Sequence, residues 1–274
     1  MTIRYFVIAF SFTWVFWWLA VLEERGVIPL PIPAVFLGAF GPMVAAVALA
    51  ASEGGRAGLR SLLSRVVRWR VAPAWYGVAT LGPLAMQLSA MALYVSLGGE
   101  PPGPLALLGT LPTVLFLAVY YLLFVALPEE IGWRGYALPA LQARYGALLS
   151  GVILGLVWAA WHLPLFFNPS TLYSNLPFPL FVAWLVPLSI LLTWVFNGTV
   201  GSVLMVALFH AGMNASSEMW KVMPEYSGPM SEADAAAASV NVNLMGAVVL
   251  WVAAVIVVLA TGPRDLSRRP RQVS

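Results

Sequence analysis

Apolar runs of about twenty residues, separated by short polar or proline-rich joints, repeat from one end of the chain to the other. Within each run the apolar positions are continuous rather than alternating. A bilayer core about 30 Å thick asks for about 20 such residues per crossing. Lipid offers backbone groups no partners, so the runs must be helices or a closed barrel, and continuity selects helices. The pattern predicts eight spans, at residues 3–22, 27–50, 75–97, 105–127, 147–167, 178–196, 202–215 and 244–261, the seventh being the shortest. The predicted fold is therefore an all-α polytopic transmembrane helix bundle. Residues 1–274 read as a single membrane domain, without internal repeats or low-complexity linkers. The first run lacks a small-x-small cleavage site and reads as a retained span.

Composition and charge orient this bundle. Hydrophobic residues make up 61% of the 274 and charged residues 9%, far below the about 25% charged of a soluble domain. Short cytoplasmic loops retain Lys and Arg, and Arg56, Arg60, Arg65, Arg68 and Arg70 fall between the second and third spans. Alternation then puts both termini inside, with Arg4, the segment from Glu129 to Arg144, and a tail bearing Arg264, Arg268, Arg269 and Arg271. Glu23, Glu24, Glu100, Glu218, Glu225, Glu232 and Asp234 fall outside. The net charge of +3 is thus a topology signal and needs no nucleic-acid partner. Residues 56–70 also read as an amphipathic helix on an anionic leaflet, with Leu59, Leu62, Leu63, Val66 and Val67 on its apolar face. Absence of cysteine excludes disulfides, thiol nucleophiles and thiolate metal ligands.

An ionisable side chain in hydrocarbon costs roughly 2.5 to 3.5 kcal/mol on insertion scales and is a functional candidate by default. Three clusters qualify. Glu130 and Arg134 are four apart, within reach of an ion pair on one helical face, while Glu129 points about 100° away, held apart for chemistry. Pro128 and the two acids equally suit the first turn of a helix. Trp158 and His162 share a face, with Pro164 set to bend or end the helix beyond them; the competing reading is a core histidine bonded across helices. His210 and Asn214 repeat the spacing, with Gly212 between them allowing close approach, and serve equally as interhelical glue. Together a carboxylate, two histidines, an asparagine and an arginine supply a base, a proton shuttle and oxyanion donors. There is no His-Glu-x-x-His helix, no intramembrane aspartate pair, and no Gly-x-Ser-Gly elbow beside either histidine.

Glu129-Glu130-x-x-x-Arg134, Trp158-x-x-x-His162 and His210-x-x-x-Asn214, in that order on successive spans, resemble the motifs of the CPBP family of intramembrane proteases. That family includes type II CAAX prenyl endopeptidases and bacterial proteins linked to bacteriocin processing or immunity. The resemblance covers residues 115–216, the expected catalytic core, and departs at Trp158, where the family usually has phenylalanine. It implies that Glu129 is the general base for a water, that His162 assists, that His210 and Asn214 stabilise the oxyanion, and that Glu130, Arg134 and Trp158 support them. It also implies either zinc or another divalent metal on Glu129, His162 and His210, or a water activated without metal.

The expected activity is hydrolysis of a peptide bond in a membrane-associated or lipidated protein, in a bacterial or archaeal membrane. A non-catalytic immunity or binding protein using the same cavity is the alternative, and a proton-coupled transporter the third. Depth poses a conflict. Glu129 follows the fourth span on the cytoplasmic side, whereas His162 lies late in the fifth, toward the outside. A re-entrant turn at Pro164 and Pro169, a misplaced span boundary or a deep site would reconcile them.

Overall fold

The chain is described here by a computed structural model covering residues 2–228 and 231–267. All regular elements among them are helical. We number α1 Thr2–Glu24, α2 Ala34–Gly38, α3 Gly41–Val66, α4 Ala74–Ser96, α5 Pro104–Gln142, α6 Ala147–Trp161, α7 Phe178–Gly198, α8 Val203–Ser216 and α9 Glu232–Thr261. Seven stretches of helix among the described residues are long and apolar enough to cross a membrane, and the protein is an integral membrane protein. The helix α8, the short seventh span of the sequence pattern, has 14 residues, about 21 Å of rise. It lies mostly buried against α4 and α5, so its backbone is shielded by protein.

The joints meet as the positive-inside rule groups them. On the side of the arginines, Arg68 Nη1 donates to the Val200 carbonyl at 2.7 Å and Ser202 Oγ to the Arg68 carbonyl at 2.6 Å. There too Asn197 Nδ2 donates to the Asp265 carbonyl and the Ala147 amide to the Arg264 carbonyl. On the other side Arg25 Nη2 donates to the Phe167 carbonyl, Ser170 Oγ to Glu24 and the Glu100 amide to Glu225. Of the residues used to orient the chain, Arg268, Arg269 and Arg271 lie outside the described residues, as does the Glu232 side chain.

The second span opens at Ala34 rather than residue 27 and the last helix at Glu232 rather than residue 244, and two further boundaries differ with consequences for the site. Residues 56–70 are not a free loop: α3 continues to Val66, bent at Gly55, whose φ of +54° is open to glycine and strained for other residues. Leu62 is buried there while Leu63 and Val67 are exposed. The fourth span does not stop at residue 127 either. The helix α5 runs 39 residues, about 58 Å, through π-turns at Leu122–Ala126 and Trp133–Ala137. Pro128 is thus inside a helix, not at its start, and the reading of Glu129 and Glu130 as first-turn acids falls away. The reason is local: a proline leaves the carbonyl four residues back without its N–H and crowds it, and π-turns absorb that insertion. For Pro139 the orphaned carbonyl is that of Gly135, and Arg65 Nη1 takes it at 2.6 Å.

Small residues set the closest approaches. A Cβ on Gly155 of α6 would lie 2.9 Å from Val186 Cα of α7, and one on Gly151 would lie 3.3 Å from Ile190 Cα. Two glycines four apart let the backbones touch, the usual means of helix association in lipid. On α8, a Cβ at Gly212 would meet Pro83 of α4 at 2.9 Å, so the close approach expected there is made by a helix.

Candidate active site

The segment between the two π-turns presents both glutamates to the interior. Glu129 and Glu130 are buried, as are Trp133 and Arg134. Glu130 receives Arg134 Nη1 on both oxygens, at 2.9 and 3.0 Å, the four-residue pairing that the spacing suggests. The other arm of Arg134, Nη2, donates to Ser189 Oγ at 3.0 Å, and Ser189 in turn donates to the Gly151 carbonyl at 2.8 Å. This anchor exists because Gly151 lets α7 come so close. A buried charge is tolerable only when paired and hydrogen-bonded, and the glutamate and the guanidinium meet that condition together.

Glu130 Oε1 also lies 2.9 Å from His210 Nδ1, from α8. Glu129 is turned the other way, as the 100° step requires, and its Oε2 accepts from Trp158 Nε1 at 2.6 Å. One turn further along α6, His162 Nδ1 sits 2.9 Å from the Trp158 carbonyl. A carbonyl only accepts, so Nδ1 carries the proton and the neutral ring keeps Nε2 as an acceptor. His162 closes α6, and the chain continues through Pro164 as a 3-10 turn, Leu163–Phe167. Trp17, Trp161, Tyr173 and Phe181 surround the ring at 4.7 to 5.9 Å between centroids. Tyr173, between spans, has its hydroxyl pushed above the usual phenol range by desolvation first and the Glu129 charge second, so it stays a neutral donor.

Five of the predicted residues thus meet around Trp158: Glu129 through its N–H, His162 through its carbonyl, Arg134 over its ring at 4.8 Å and His210 edge-on at 5.1 Å, with Glu130 behind them. Asn214 is half-buried one turn beyond His210 on α8. The depth conflict is resolved by the misplaced boundary. Glu129 faces Trp158, eleven residues into α6 and so about 16 Å from its inner end; the site is within the bundle, not in a cytoplasmic loop. Ser189 escaped the sequence reading, because a lone serine in an apolar span is cheap and does not stand out as an ionisable residue does. The donor on Trp158 is not marked by the motif either, in which Trp158 is a departure from the family's usual phenylalanine; an indole differs from a benzene ring by its N–H.

The metal set fits less well. Zinc in catalytic sites usually takes three protein ligands. Among the described residues no three His, Cys, Asp or Glu side chains are grouped to hold an ion. Glu129 Oε2 is engaged by Trp158, while His162 and His210 have Nδ1 bonded to a carbonyl and a carboxylate and Nε2 open, so a metal would be held through the two Nε2 atoms and Glu129 Oε1 only if these drew together.

Comparison with known proteins points the same way as the motifs. Residues 111–216 match the family model described as Rce1-like, type II CAAX prenyl endopeptidase Rce1-like. A curated relative, the CAAX prenyl protease 2 of Methanococcus maripaludis, is 34% identical over 111 residues, covering 38% of this chain and 41% of that protein. The match therefore spans less than half the length of that relative. The family resembled by the three motifs is the one that this segment matches.

Proposed function

We propose that this protein is an intramembrane endopeptidase that hydrolyses a peptide bond of a lipidated or otherwise membrane-associated protein, using a water activated by Glu129. The observation that carries the reading is the division of labour between adjacent carboxylates. Glu130 is saturated by Arg134 and His210, while Glu129 has no salt bridge among the described residues and accepts from Trp158 through Oε2, with Trp133 also toward its carboxylate. Glu129 Oε1 accepts a proton from water as the oxygen attacks the scissile carbonyl, and His162 Nε2 orients that water. The resulting oxyanion is met by Asn214 Nδ2 and by His210 Nε2. For His210 to donate there, its ring must carry both protons, and Glu130 against Nδ1 balances that charge, as a buried carboxylate does for an imidazolium in hydrolytic triads. Collapse breaks the C–N bond, and Glu129 returns its proton to the leaving nitrogen. Each step uses side chains of this chain alone.

Substrate class follows from the match and from shape. The matched relative's name refers to a CAAX prenyl protease, and in a C-terminal C-a-a-X sequence the isoprenoid is on the cysteine fourth from the end. A cleft of about 550 Å³ between α1, α2 and α5 is lined by Ala34, Val35, Phe36, Phe124 and Val125, and also by the carboxylates Glu23 and Glu24. Val125 is four residues before Glu129 on α5, so an apolar chain in the cleft would run toward the site. The test is peptide-terminus profiling of membranes holding the intact protein or Glu129→Gln at equal abundance, followed by cleavage of prenylated and unprenylated peptides by protein in nanodiscs. Termini made only by the intact protein, at a rate unchanged by EDTA, are expected. Identical profiles would favour the binding or immunity reading, and loss of rate on chelation with recovery on zinc would overturn the metal-free chemistry.

A further inference from the structure

We infer that Trp158 is the positioning residue of this site, fixing through its indole N–H and its own carbonyl which atoms of Glu129 and His162 are free to handle the water. The inference rests on the hydrolytic reading above and deepens it. Trp158 is 1% exposed, so neither of its polar groups is answered by solvent. Its side chain donates to Glu129 Oε2 at 2.6 Å, which leaves Oε1 as the basic oxygen. Its carbonyl takes the proton of His162 Nδ1 at 2.9 Å, which leaves Nε2 as the acceptor. An indole N–H donates only and does not exchange roles during a proton transfer, so it can hold a base without competing for its proton. The tryptophan is in turn held from two sides, by Arg134 stacked 4.8 Å over the ring and by the His210 edge at 5.1 Å. Arg134 is tied to Glu130 and Ser189, so on that face the ring's orientation is fixed by a group that does no chemistry.

This arrangement separates two functions that a substitution can pull apart. Trp158→Phe keeps an aromatic face for Arg134 and the backbone carbonyl for His162, and removes the donor to Glu129 together with one ring of buried volume. Incorporating 3-benzothienylalanine at the same position keeps the bicyclic shape as well, and again lacks the N–H. A hydrogen bond to an ionised group supports an expected fall in kcat of about 10- to 100-fold for both, with KM within twofold and the unfolding temperature of the benzothienyl protein unchanged. In infrared difference spectra against Glu129→Gln, the Glu129 carboxylate band should shift in both variants, a signature that loss of packing alone would not produce. An unchanged kcat in the benzothienyl protein, or a rise in KM at constant kcat, overturns the positioning role while the protease reading stands. If the unmodified protein cleaves no peptide, the protease reading itself fails and takes the role with it.

Discussion

The two halves of α5 are one continuous helix with opposite surfaces. From Pro104 to Tyr121 it is apolar and faces outward: Leu105, Leu115 and Phe116 are exposed, Phe116 at 71%. From Leu127 to Gln142 it carries two glutamates and an arginine, and these are sealed inside, Arg134 at 0%. In water the exposed half would be the polar one. In lipid the apolar half has its solvent beside it and needs no partner, whereas the charged half must find partners inside the protein. Burial in this bundle therefore follows polarity and close packing rather than hydrophobicity.

Breaking the buried half should cost most. Glu129→Gln leaves size and burial unchanged and removes the proposed base; kcat should fall about 10²- to 10⁴-fold in nanodisc cleavage assays with no loss of thermal stability. Arg134→Met should act on the fold instead. It strips Glu130 of its main cation, and breaking one side of a buried pair costs about 3 to 5 kcal/mol, which unfolding in detergent would register. Ser189→Ala removes one donor–acceptor link to that arginine, a hydrogen bond to a charged group, for about 1.5 to 3 kcal/mol. On the lipid-facing half, Phe116→Leu should change stability by less than about 0.5 kcal/mol and leave cleavage at its full rate. Equal sensitivity of Phe116 and Arg134 would show that the contrast drawn between the halves is wrong.

Two of the three motifs were legible because their residues pair at a spacing of four, and a helix turns that spacing into contact regardless of what surrounds it; His210 and Asn214 share only the face. The Glu130 and Arg134 pair and the Trp158 and His162 pair both lie within a single helix. Contacts between helices were not legible in the same way. Nothing in the spacing ties Glu129 to Trp158 across 29 residues, or Arg134 to Ser189 across 55. The boundary at residue 127 failed for a related reason: a proline followed by two acids looks like a helix start, whereas π-turns absorb the proline and packing against α3 and α8 holds the segment inside. Gly132 shows how tight that packing is, since a Cβ there would fall 2.5 Å from Pro42 of α3.

The chain's pattern alone determined that this is a helical membrane protein, which joints share a side, and which few ionisable residues stand in hydrocarbon. Those properties depend on local hydropathy, on helical period and on the placement of arginines, all of which act over about twenty residues. Tertiary structure decided the rest: that Glu130 is consumed by Arg134 and His210, that Glu129 turns away from them, and that a buried tryptophan joins Glu129 to His162. These outcomes depend on which helices approach within hydrogen-bond distance, and that is set by glycines such as Gly151 and Gly155 acting on partners far away in the chain.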